Sequence, residues 1–159
     1  MPDLGWVRNC FGASEYYDEL FDELLYALAE TDAASVGVEP VELDLRDRDV
    51  LAAFLTERRV NVATMSYVLY ELAPVQRAAV LDTVVWALHA PAVLLVAEPE
   101  GELGRPGCVV TLYRRGRRPL RICHVSDGHF RGTVTPLDDF AEFHERYPIV
   151  LGDAPCRAG

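Results

Sequence analysis

Residues 60–99 read VNVATMSYVLYELAPVQRAAVLDTVVWALHAPAVLLVAEP. The apolar run Val60–Val68 has the length and β-branched content of a strand. Pro74 suits the first turn of a helix, where its missing N–H is no loss. Val75, Ala78, Leu81, Val85 and Leu88 then recur at helical spacing and predict one apolar face. Ala92–Ala97 reads as a second buried strand, closed by Glu98-Pro99. Strand, helix and strand in this order predict a parallel βαβ crossover. In open α/β sheets, ligands lie beyond the carboxyl ends of such strands. Ser66, Tyr67, Tyr70, Glu71 and Glu98 are therefore candidate binding residues.

Upstream, the short apolar segment Leu4–Phe11 precedes Gly12-Ala13-Ser14. Ser14 is a suitable N-cap for an amphipathic helix over Glu15–Glu30, with Tyr17, Leu20, Phe21, Leu24 and Leu28 at helical spacing. Val41, Leu43 and Leu45 alternate with polar residues, predicting a strand that ends at Asp44-Leu45-Arg46-Asp47. Asp47 then caps a second helix whose apolar face holds Val50, Leu51, Phe54 and Leu55.

Downstream, Glu100–Gly107 is a Gly/Pro-rich loop. Cys108–Arg114 and Leu120–Val125 predict a β-hairpin around an Arg-Gly-Arg turn. Thr135-Pro136 opens a short helix with Leu137, Phe140 and Phe143 inward, and Pro148–Leu151 reads as a last strand. There is no internal repeat or linker, so residues 1–159 read as a single domain. The expected fold is α/β: an abbreviated Rossmann-like sheet, mostly parallel with a C-terminal antiparallel hairpin, and helices on both faces.

Half of the 159 residues are hydrophobic and the net charge is −10, an ordinary balance for a soluble globular chain. Every basic residue other than histidine is arginine. That bias fits either GC-rich coding or an acidic surface adapted to high salt. A chain this acidic lacks the footprint of a general nucleic-acid binder. Four dispersed cysteines without a CxxC pair, and a start without a secretory pattern, imply reduced thiols in a cytoplasmic protein. The most apolar window, Ala78–Ala97, is interrupted by Asp82, His89 and Pro91, which argues against a membrane span.

Cys108, Cys123, His124 and His129 include good zinc donors, but their spacing fits no common finger. Adjacent strand residues also point to opposite faces, so no metal is expected. Arg114, Arg115, Arg117 and Arg118 form the one basic cluster. It is read as solvated or paired with carboxylates, against the alternative of an anionic substrate or RNA phosphate.

Asp44-Leu45-Arg46-Asp47, the run from Asn61 to Leu72, and Leu94–Pro99 resemble the middle and later strands of class I S-adenosylmethionine-dependent methyltransferases. The closing hairpin and last helix are similar to the antiparallel end of that fold, so the resemblance spans roughly residues 40–151. It implies S-adenosylmethionine as cofactor and methyl transfer to a small-molecule substrate or a macromolecular acceptor. On this resemblance Gly12, Ser14, Asp44, Leu45, Ser66 and Tyr67 would contact the cofactor. Tyr70, Glu71 and Glu98 would contact the substrate. No catalytic acid or base is singled out, because methyl transfer from a sulfonium depends mainly on positioning.

The sequence departs from the family at its cofactor loop. It has no GxGxG, and the candidate loop Asn9–Ser14 holds a single glycine. In one register Trp6–Ala13 replaces the family's second strand and the central strand is missing. In the other, Trp6–Phe11 is itself central, and Asp44 ends the neighbouring strand. The second keeps a continuous sheet within one chain. Two functions follow: a small methyltransferase with an altered cofactor loop, or a catalytically inactive relative acting as a binding or assembly module. The latter would work as a homodimer or with a partner chain completing the sheet. Blander roles stand beside each candidate: helix capping for Asp44, core packing for Ser66 and Tyr67, a helix-start charge for Glu71.

Overall fold

Leu43 to Tyr147 alternate apolar runs with turn-forming residues, and the computed structural model shows how those runs pair. It describes residues 15–33, 37, 39, 41–99, 106–127 and 132–147. The chain divides into two compact units, Met1–Glu42 and Leu43–Gly159. In the first, helix α1 (Glu15–Ala33) covers the expected amphipathic segment and runs three residues beyond it. Phe21, Leu24 and Leu28 are half-buried along one side.

The second unit contains α2 (Arg48–Glu57), β1 (Val62–Ser66) and a 3₁₀ turn at Leu69–Glu71. It continues with α3 (Pro74–Ala87), β2 (Val93–Glu98), β3 (Cys108–Tyr113), β4 (Leu120–Val125), β5 (Val134–Pro136) and α4 (Phe140–Arg146). The strands lie in the order β1-β2-β3-β4-β5. β1 and β2 run parallel, from Val62 opposite Val93 to Ser66 opposite Ala97, with α3 as their crossover. The β1–α3–β2 unit is the one the sequence predicts.

The sheet as a whole differs from the expected mostly parallel one. Among the described residues it is mixed and mostly antiparallel, since β2–β3, β3–β4 and β4–β5 all pair antiparallel. Part of the reason lies at Val41–Leu45, where no strand forms. The Asp44 side chain accepts the Arg46 N–H at 2.9 Å, and the Asp44 carbonyl accepts the Asp47 N–H at 3.0 Å. Such a local turn competes with strand pairing. Leu43 and Leu45 pack against the core from this irregular segment.

Helices cover both faces. Leu94 and Val96 of β2 join Leu51, Leu55, Val80 and Val84 in the core under α2 and α3. Val93 and Leu95 face the other way, with Leu112, Leu120 and Ile122, toward Phe140 and Phe143 of α4. The inward face of α3 is rotated from the expected one: Val80, Thr83 and Val84 are its buried residues, whereas Val75 is 80% exposed. α3 is apolar on most sides, so periodicity alone leaves its orientation open, and packing against α2 decides it. Asp47 caps α2 as expected, its Oδ1 accepting the Val50 N–H at 3.2 Å. Thr135-Pro136 belongs to the short strand β5 rather than to a helix start. Among the described residues β5 is the edge of the sheet, where proline is tolerated.

Leu4–Phe11 and Pro148–Leu151 lie outside the described residues. Among the described residues, no helix is long and apolar enough to cross a membrane.

Two local devices hold the antiparallel half. Gly107 enters β3 with φ +103°, and a Cβ there would stand 1.9 Å from the Val125 carbonyl oxygen. Gly107→Ala should therefore cost more than about 2 kcal/mol in urea unfolding, whether the backbone or β4 gives way. Asp139 ties α4 to β4, accepting the Arg121 N–H and the Arg118 guanidinium, both at 2.8 Å. Those bonds, the Arg121 amide first, lower its pKa from the ordinary 3.8. Because the folded value is the lower one, the stabilisation is complete above 3.8 and drains away as pH falls through the lowered value. Asp139→Asn should flatten that part of an acid-unfolding curve relative to wild type.

Candidate functional site

β1 ends at Ser66, and the Tyr67 N–H continues the parallel ladder one step by donating to the Ala97 carbonyl at 3.0 Å. Tyr67 then adopts φ +53°, a left-handed conformation that turns the chain off the sheet. For a tyrosine this costs about 1–3 kcal/mol, so the surroundings must hold it. They do so through Glu98, the last residue of β2. Its Oε1 accepts the N–H groups of Val68 and Leu69 at 2.8 and 2.7 Å, and its Oε2 accepts that of Tyr70 at 3.0 Å.

The opposite end of the same turn is held by Arg77 in the first turn of α3. Its Nε donates to the Leu69 carbonyl at 3.1 Å, and its Nη2 lies 3.4 and 3.5 Å from the carbonyls of Tyr70 and Leu72. A carboxylate thus takes the free donors of the turn and a guanidinium reaches its carbonyls, of which that of Leu69 also accepts the Leu72 N–H at 3.0 Å. Both side chains line a cavity of about 190 Å³ with Leu69, Val96, Val109 and Tyr113. Burial pushes the Tyr113 pKa up, against the nearby charge of Arg77.

Tyr67 is half-buried and packs on Ala97, Cys108 and Val125. Its hydroxyl shares a hydrogen bond with the Cys108 thiol, and burial first of all pushes its pKa up to about 12. Burial likewise raises the Cys108 thiol. Both groups keep their protons at neutral pH, so neither is poised as a base or a nucleophile. Tyr70 meets the Tyr67 ring edge-on, with centroids 6.2 Å apart. Tyr70 and Glu71 are exposed, as is Ser66. A hydrogen bond to the Glu71 carboxylate is the main cause that raises the Tyr70 pKa.

Asp44 lies elsewhere. Arg46 grips its carboxylate at 3.0 and 2.9 Å and holds its pKa at about 2. Asp44 lines an open groove of about 1030 Å³ with Arg48, Thr83 and Trp86, between α2 and α3. Arg48 crosses that groove to Thr83 Oγ1 at 3.0 Å. The structure therefore gathers Ser66, Tyr67, Tyr70, Glu71 and Glu98 at one corner and leaves Asp44 in a separate concavity. Leu45 packs against the core. Gly12 and Ser14 lie outside the described residues. Asp44, the expected ribose acid, does not line the concavity that holds Glu98, and Tyr67 packs on Ala97, Cys108 and Val125.

The remaining candidates are engaged in packing. The buried His124 ring places Nε2 3.0 Å from the Pro106 carbonyl. His129 lies outside the described residues, among which no group of three His, Cys, Asp or Glu is arranged to hold a metal. In the basic turn, Arg118 pairs with Asp139 and Glu142. Arg115 instead donates to the Trp86 and Leu88 carbonyls at the end of α3 and stacks over the Trp86 ring at 5.2 Å. A cation there complements the helix dipole. Arg77 was the residue that pattern reading passed over. Its signal was a cation in the first turn of a helix, where the dipole disfavours it unless another partner holds it.

Compared with protein-family models, with curated proteins and with solved structures, the chain finds no match in any of the three.

Glu98→Gln keeps an acceptor for Val68 and Leu69 but turns an NH₂ toward the Tyr70 N–H. A loss of about 1–3 kcal/mol in thermal or urea unfolding is expected, with faster hydrogen exchange at Val68–Tyr70. Unchanged protection of those amides would show that the carboxylate does not hold the turn.

Proposed function

We propose that the chain is a methyltransferase-like α/β module that works by binding rather than by methyl transfer. The observation that carries this reading is that Glu98 accepts hydrogen bonds from three backbone amides. The carboxylate at the end of β2, where the resemblance would put a substrate contact, serves the fold instead. Tyr67 fills its side of the same corner, and Asp44 is committed to Arg46 in a different concavity. The Rossmann-like ancestry rests on the β1–α3–β2 crossover and on the sequence motifs along it.

A second reading keeps the S-adenosylmethionine-dependent methyltransferase, with a small-molecule or macromolecular acceptor. Its support is the exposure of Ser66, Tyr70 and Glu71 at the carboxyl end of the parallel pair. Calorimetric titration with S-adenosylmethionine and S-adenosylhomocysteine, at low and at molar salt, separates the two. The binding-module reading expects no saturable heat from folded protein in either salt. Micromolar binding would replace it with the methyltransferase, and loss of that binding in Asp44→Ala would assign the ribose contact.

A further inference from the structure

A cavity of about 310 Å³ lies between α3 and the turn that joins β3 to β4. One wall is a row of α3: Ala78, Asp82 and Trp86 follow at four-residue intervals, with Leu81 and Val85 beside them. The other wall comes from the end of β3 and the turn, with Tyr113, Arg114 and Arg117. Its chemistry is divided into an apolar, aromatic part, two guanidinium groups and one carboxylate.

Two of those charges, Arg117 and Asp82, differ from their neighbours in having no ion-pair partner among the described residues. Arg115 and Arg118 are tied to helix carbonyls and to carboxylates. Among the described residues, the Arg117 guanidinium has no carboxylate partner and Asp82 has no cation. Arg114 is tied to Tyr147, donating to its hydroxyl at 3.2 Å and lying 5.7 Å over its ring. Trp86, 63% exposed, gives the same site a large aromatic surface facing solvent, and a concave site of this size with a few convergent polar groups is the usual form of a small-molecule pocket.

We propose that this cavity binds a small aromatic zwitterion, of the class of the aromatic α-amino acids. The carboxylate is taken by Arg117, the ammonium by Asp82, and the ring by Leu81, Val85 and Trp86. The proposal rests on the binding-module reading and names its ligand.

The test uses the full chain carrying Trp6→Phe, which leaves Trp86 as the sole tryptophan. Its emission is followed during titration with L-phenylalanine, phenylacetate and phenethylamine at low ionic strength. A saturable change is expected with L-phenylalanine, and about tenfold weaker binding of the two probes that lack one charge. Arg117→Gln should weaken L-phenylalanine and phenylacetate. Asp82→Asn should weaken L-phenylalanine and phenethylamine but leave phenylacetate unchanged. Both positions are exposed, so both variants are expected to fold, as far-UV circular dichroism would check. Equal affinity for phenylacetate and L-phenylalanine overturns the zwitterion. No saturable response to any probe, or a response indifferent to both substitutions, overturns the site. Failure here with no heat from S-adenosylhomocysteine removes only this ligand, whereas S-adenosylhomocysteine binding removes the binding-module reading itself.

Discussion

The three amide hydrogens of Val68, Leu69 and Tyr70 have no partner within their own turn, and a single carboxylate satisfies all of them. That arrangement fixes more than a loop. Glu98 is the last residue of β2, so the exit from β1 is anchored to the end of the neighbouring strand. Arg77 completes the clamp from α3, the helix that connects the same two strands. Strand, turn, helix and second strand thus form a closed loop of hydrogen bonds around the parallel pair. The strained backbone of Tyr67 persists inside it because its N–H, ring and hydroxyl are each held. Glu98 and Arg77 hold the backbone of this corner while also lining the small cavity beside it.

α3 is the element on which the rest of this unit is assembled. Val80 and Val84 face the sheet core, and Thr83 receives Arg48 from α2. Its last carbonyls receive Arg115 from the β3–β4 turn. Asp82 and Trp86 line the cavity on the hairpin side. A helix in contact on three sides has little reason to be amphipathic, and its sequence is apolar nearly all round. Two concave surfaces therefore flank α3, and a smaller one lies by Glu98 where β2 ends.

Much of this was legible in advance. Pro74, the β-branched runs at Val60–Val68 and Ala92–Ala97, and the Asp47 cap each carry their own local physics, and the structure forms all of them. The hairpin from Cys108 to Val125 was equally clear, because Gly116 and the surrounding arginines mark the turn. What could not be read was tertiary. Val41, Leu43 and Leu45 alternate like a strand, but an aspartate two residues before an arginine makes a turn that outcompetes the pattern. Val75 sits on the helical period of α3 and is nonetheless exposed, since which side faces inward depends on α2. The position of Glu98 at a strand end does not say whether its oxygens meet a ligand or three amides of the same chain.

The cationic ties described above are all guanidinium, and the chain contains no lysine. Guanidinium stays protonated through any pH at which a protein remains folded. Alkaline solution therefore leaves those ties intact and acts elsewhere. Tyr67 holds its proton to about 12 in the folded state against an ordinary 10, and the Cys108 thiol beneath it is raised in the same direction. An unfolded chain loses those protons earlier, so alkali favours unfolding in the interval between the two values. Alkali thus acts on a phenol and a thiol packed against the sheet, at a residue whose backbone is left-handed.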